Sequence, residues 1–184
     1  MLATLTLICL IRSSVVGAWI QTPVIENCSD AQIFRLSNVT IKDATISETM
    51  TVKFTVTLTK ALGDTPKLQL ILRKKSGIKI PCLFGYGSCT YKLCDGTTKQ
   101  ERALTQMWDN RCPVPVFEET PSFDAPVIPT VQLITGPAPT TITIGFKVTN
   151  GGKIVGCQSF KVKIRRGKRK GIHGAKGTTT GLEE

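Results

Sequence analysis

Seven cysteines are the residues of this 184-residue chain with the widest chemical repertoire. A thiolate can attack, ligate a metal or pair as a disulfide, and spacing and compartment separate these uses. Cys9 falls in an apolar leader, which leaves Cys28, Cys82, Cys89, Cys94, Cys112 and Cys157, an even number. Their intervals fit no C-x-x-C zinc pattern, and a lone histidine cannot complete a mixed site. Three disulfides in an oxidising compartment are the expected use, with no metal and no cofactor. The parts of a catalytic centre are missing as well. His173 lies in a polar tail where nothing would orient it, and Ser88 lacks both a nucleophile elbow and a base. Asp95 and Asp109 read as solvated loop charges rather than an acid–base pair. No enzymatic activity is expected.

The leader itself is residues 1–18. An apolar run from Met1 to Ile11 is followed by small residues ending Val16-Gly17-Ala18, the pattern of a signal peptide cleaved after Ala18. Asn38-Val39-Thr40 is a glycosylation acceptor, which agrees with secretion.

The elements that must position these groups read as strands. Met50, Val52, Phe54, Val56 and Leu58 alternate with polar residues through Met50–Lys60, so one face meets a core and the other water. Leu68, Leu70 and Leu72 repeat the pattern in Lys67–Arg73, after a turn at Gly63-Asp64-Thr65-Pro66. Further strands are expected at Ile33–Ile41, Val131–Ile134, Thr141–Val148 and Lys153–Ile164. Asn150-Gly151-Gly152 between the last two is a hairpin signal. Six to eight antiparallel strands without intervening helices make an all-β sandwich. Between Cys82 and Pro129 the alternation fails, and cysteines are expected to hold that segment in place of a ladder.

The formal net charge is +11, and residues 161–184, with eight basic and two acidic groups, carry more than half of it. Residues 165–184 are expected to form a disordered basic tail. Its residues Arg165, Arg166, Lys168, Arg169 and Lys170 suit an anionic surface, either lipid headgroups or an anionic glycan. A nucleic-acid partner does not suit a secreted, disulfide-rich chain.

The cysteine-rich middle carries a longer signature. Ile78-Lys79-Ile80-Pro81-Cys82, then Gly87-Ser88-Cys89-Thr90, then Cys94-Asp95 closely resemble the GM2-activator branch of the MD-2-related lipid-recognition (ML) domain family. Glu26-Asn27-Cys28 and Gly152-Lys153-Ile154-Val155-Gly156-Cys157 resemble the first and last parts of the same domain, so the likeness spans 19–164. The resemblance implies the pairs Cys28–Cys157, Cys82–Cys89 and Cys94–Cys112. It also implies a β-cup whose two sheets part at one end around an apolar lipid cavity, with no catalytic residues. Gly77 stands where the family has a membrane-dipping tryptophan, and Gly96–Arg111 lacks an additional family disulfide.

On this reading Val52, Phe54, Val56, Leu58, Leu70, Leu72, Ile142, Ile144 and Phe146 line the cavity. Leu104, Met107, Trp108, Phe117 and Phe123 form the rim that meets a membrane, tryptophan being suited to that interface. The expected function is lipid binding and transfer, with a glycosphingolipid or phospholipid as ligand. A membrane surface is the peripheral partner and a lysosomal-type glycosidase a further one. Secreted and lysosomal destinations share these signals. From another class, a secreted β-sandwich interaction protein would bind a protein or an anionic glycan through its surface and basic tail.

Overall fold

A computed structural model describes residues 18–85 and 87–167. The leader up to residue 17 and the tail residues Lys168, Arg169 and Lys170 lie outside the described residues, as does the side chain of Met107. In chain order the elements are β1 (Ile20–Gln21), β2 (Glu26–Gln32), β3 (Phe34–Lys42), β4 (Thr49–Leu58), β5 (Lys67–Lys74) and β6 (Thr90–Lys92). They continue with α1 (Lys99–Leu104), β7 (Phe117–Glu119), β8 (Ser122–Pro126), α2 (Val131–Thr135), β9 (Thr140–Asn150) and β10 (Lys153–Ile164).

The strands form two antiparallel sheets of five strands each. Sheet A runs β1-β3-β4, and β4 then pairs with both β7 and β8. Sheet B runs β2-β10-β9-β5-β6. The expected all-β sandwich is the fold, and its alternation is what builds it. Phe54 on β4 and Phe146 on β9 face each other across the sheets with ring centroids 6.0 Å apart. Register then puts Val52, Val56 and Leu58, and Leu70, Leu72, Ile142 and Ile144, on the same inner faces. The β9–β10 hairpin turns at Gly151 and Gly152, whose φ angles of 55° and 74° suit residues without a Cβ. All three implied disulfides are present: Cys28–Cys157, Cys82–Cys89 and Cys94–Cys112.

Three expectations need correction. Val131–Ile134, expected as a strand, is the helix α2. The Thr135 hydroxyl and the Gly136 N–H donate back to Val131 and Gln132, so local bonds satisfy the segment without a partner strand. The stretch from Cys82 to Pro129 is more regular than expected, holding β6, α1, β7 and β8. Those strands have three, three and five residues, too few for alternation to show. The third concerns the N-terminal side: β1 and β2 were not expected, because Glu26-Asn27-Cys28-Ser29-Asp30 is polar on both faces.

Candidate functional site

Backbone hydrogen bonds join the two sheets along the β3–β10 side. The chain passes from β2 in sheet B to β3 in sheet A through Ile33, whose N–H donates to the Val155 carbonyl at 3.0 Å. Gly156 lies so close there that a Cβ would sit 2.3 Å from the Phe34 carbonyl oxygen. Midway, the Leu36 N–H donates to Oε1 of buried Gln158, whose Nε2 donates to Asn27. At the far end the Arg165 N–H donates to Ala44 and the Ile46 N–H to Arg165, at 2.9 and 3.0 Å. Gln21 bonds both the N–H and the carbonyl of Lys163. This seam of β1, β3 and β10 encloses the main core: Leu36, Val39, Ile41, Phe160, Val162 and Ile164, none above 4% exposed.

Away from the seam the inner faces are not sealed. Phe146 and Ile144 sit on β9, flanked in their own sheet by β10 and β5, yet both stay partly exposed. Val52 and Val56 on β4 and Leu70 and Leu72 on β5 do so as well. Water reaches a central-strand residue on its inner face only through a gap between the sheets. Four phenylalanines cross that gap. Phe123 on β8 stacks on Phe54 at 5.7 Å, Phe54 meets Phe146 at 6.0 Å, and Phe146 stacks on Phe160 at 6.0 Å. Exposure is 47% at Phe123, 9% at Phe54 and 1% at Phe160, with Phe146 partly exposed between the last two. Phe123 is therefore the lip and Phe160 the seam.

A second buried cluster closes one end of the gap: Leu58, Leu62, Leu93, Val114, Val148 and Val155, with Trp108 and Phe117 against them. Other segments carry exposed apolar residues. Ile78 follows β5 on a returning segment whose carbonyl accepts from Lys74, and Leu133 and Ile134 project from α2. Leu83 and Phe84, the latter 95% exposed, belong to the loop closed by Cys82–Cys89.

The cavity residues of the sequence reading fall into two groups. Phe54, Leu58 and Ile142 are buried, whereas Val52, Val56, Leu70, Leu72, Ile144 and Phe146 are only partly buried. The rim residues are dispersed. Phe123 stands at the lip, but Trp108 stacks on Phe117 at 5.6 Å and donates Nε1–H to the Leu93 carbonyl at 2.6 Å. That bond and stack place Trp108 in packing at the closed end, with Leu104 half-buried at the end of α1. The sequence reading does not single out these exposed apolar segments, although Phe84 between two disulfide cysteines is a visible signal, and its loop sits beside β6, where Tyr91 donates to the Gly85 carbonyl. Of the basic residues expected at an anionic surface, Arg165 lies 3.7 Å over the Trp19 ring and Arg166 donates to the Ala138 carbonyl. Asn38 is exposed at an irregularity of β3, where its Nδ2 donates to the Thr55 hydroxyl at 3.4 Å.

The short edge of sheet B is held by Glu101. Its carboxylate accepts from the N–H groups of Lys92, Thr97 and Thr98 at 2.9 to 3.0 Å and from the Thr98 hydroxyl at 2.9 Å. The Thr98 hydroxyl accepts the Glu101 N–H in return, a capping box that opens α1. Donation from Lys92, then from Thr98, lowers the Glu101 pKa from 4.5 to about 2.

No protein-family model matches this chain, and no curated protein matches its sequence. Among solved structures, a Niemann-Pick type C2 protein from the Japanese carpenter ant is similar at 14% identity and TM-score 0.45, over 77% of this chain and 99% of that one. The C-terminal domain of wzt is similar at 10% identity and TM-score 0.40, over 88% of each chain. What the chain does has to follow from the gap itself.

Proposed function

We propose that the chain binds lipid by drawing acyl chains between its sheets, and that it transfers or presents the lipid without a catalytic step of its own. One observation carries this reading: Val52 and Val56 on β4 and Ile144 and Phe146 on β9, inner-face apolar residues of central strands, remain partly exposed. A soluble domain left free to close would bury them. The transfer of each CH₂ out of water is worth about 0.8 kcal/mol, so a chain of about 16 carbons supplies on the order of 12 kcal/mol before ordering costs. The headgroup stays outside, near Phe123. The exposed Ile78, Leu83, Phe84, Leu133 and Ile134 suit peripheral contact with a bilayer, where the ligand is collected. The motif resemblance supports a glycosphingolipid or phospholipid as ligand, a separate glycosidase as recipient, and a secreted or lysosomal setting.

The test is an organic extract of the purified chain read by mass spectrometry, followed by uptake of fluorescent phospholipid and glycosphingolipid. Stoichiometric lipid is expected. Ile144→Trp, which fills the gap, should abolish uptake while leaving the circular dichroism spectrum unchanged. A lipid-free protein that also ignores both probes overturns the reading and leaves a surface-binding protein in its place.

A further inference from the structure

The outer face of sheet B carries a feature that lipid capture does not use. Residues paired across strands share a face, and register aligns Lys161 on β10 with Thr143 on β9, Thr143 with Arg73 on β5, and Arg73 with Lys79 on the returning segment. One row thus crosses three strands and the returning segment and shows three cations and a threonine. The next row pairs Lys163 with Thr141 and leads into a surface concavity of about 350 Å³. Lys75, Thr140, Thr141, Lys163 and Arg165 line this hollow, with Trp19 at its base under the Arg165 guanidinium. That cation–π contact at 3.7 Å fixes the guanidinium and leaves its edge free to donate. The acidic residues of β2, Glu26 and Asp30, stand at the margin of the face. Glu26 pairs with Lys161 at 3.2 Å, but both side chains are more than half exposed, so water screens the pair.

We propose that this face binds a sulfated glycan of the glycosaminoglycan type, with sulfate groups along the Lys161–Thr143–Arg73–Lys79 row and one anionic group in the Lys75–Lys163–Arg165 hollow. Same-face residues repeat about every 6.8 Å along a strand and about every 4.8 Å across strands, so the cations form a flat lattice. A stiff linear polyanion can lie along such a lattice, and the interleaved threonines add hydroxyl donors. A bilayer fits the face less well. The exposed apolar residues Ile78, Leu83, Phe84, Leu133 and Ile134 belong to other segments, whereas the two rows hold none. The site is independent of the gap, so it stands or falls apart from lipid binding.

The experiment measures binding of the full chain to a size-defined heparin oligosaccharide and to phosphatidylcholine–phosphatidylserine vesicles, over a range of salt. The double variant Lys79→Gln/Lys163→Gln should weaken oligosaccharide binding about tenfold and reduce its salt slope by up to about 2. Lys53→Gln, exposed on sheet A, should change neither, and lipid uptake should persist in both variants. The proposal is overturned if Lys168→Gln/Arg169→Gln/Lys170→Gln abolishes oligosaccharide binding while the sheet variant leaves it intact. It is equally overturned if the sheet variant loses only vesicle binding, which would make the face a membrane contact.

Discussion

The seam and the open edge are built from the same strand periodicity and end in opposite states. On β3 Leu36, Val39 and Ile41 and on β10 Phe160, Val162 and Ile164 are apolar and buried; β4, β5 and β9 also alternate, but many of their apolar residues stay partly exposed. The difference lies in what holds the sheets together. At the seam, backbone groups of one sheet bond to the other at Ile33–Val155 and at Ala44–Arg165, and the apolar faces between them are dry. At the β5–β6 edge the ties are polar or covalent and mostly local: Glu101 to β6, and the bridges Cys82–Cys89 and Cys94–Cys112. A sandwich clamped along one side can stay less tightly packed along the other, because the seam and the buried cluster at the closed end supply the packing that folding needs.

The sharpest way to break this contrast is a matched pair of truncations on one aromatic ladder. Phe160→Ala should cost about 3–5 kcal/mol in urea unfolding of the lipid-free protein, and Phe146→Ala only about 2, because water already reaches that ring. Equal costs would mean that the gap is packed shut in solution. Next in size is Glu101→Gln, expected to lose about 2–3 kcal/mol near neutral pH. The folded pKa is depressed, so this stabilisation is present above 4.5 and lost as pH falls towards about 2. The two proteins should therefore converge in stability across that acid window and differ by a constant amount above it. The smallest effect belongs to Trp108→Phe, which keeps a ring against Phe117 but loses the bond to Leu93, at about 1 kcal/mol. Vesicle binding should be unchanged in that variant; a clear drop would return Trp108 to the rim.

Much of the frame was legible before the structure. Lys153–Ile164 is bounded to the residue, because Phe160 to Ile164 alternates cleanly and a double-glycine turn sets the start. Short strands were not legible, since three residues such as Phe117–Glu119 gain their conformation from pairing with β4 rather than from their own pattern. In Val131–Ile134, β-branched composition pointed to a strand, and Thr135 and Gly136 decided for a helix through local bonds. The capping box is written plainly in Thr98-Lys99-Gln100-Glu101, yet its carboxylate also accepts across space from Lys92, which the sequence does not show. For the site, alternation identified which side chains turn inward. It could not say that Phe160 would be dry and Phe146 wet, because that depends on which strand of the other sheet lies opposite. Trp108 misled for a related reason: a polar neighbourhood in sequence concealed Leu93 and Phe117 in space.

The pairing of β2 with β10 also dictates an order of events during synthesis. Cys28 and Cys157 are 129 residues apart, whereas Cys82–Cys89 and Cys94–Cys112 span 7 and 18. As the chain emerges N-terminus first, the two local bridges can close while the last strand is still unmade. Cys28 must then wait as a free thiol, within reach of four wrong partners, until β10 appears and the seam can zip. The nascent chain thus holds its core open to the very end, and its yield in a cell should depend more on disulfide isomerases than the stability of the finished fold would suggest.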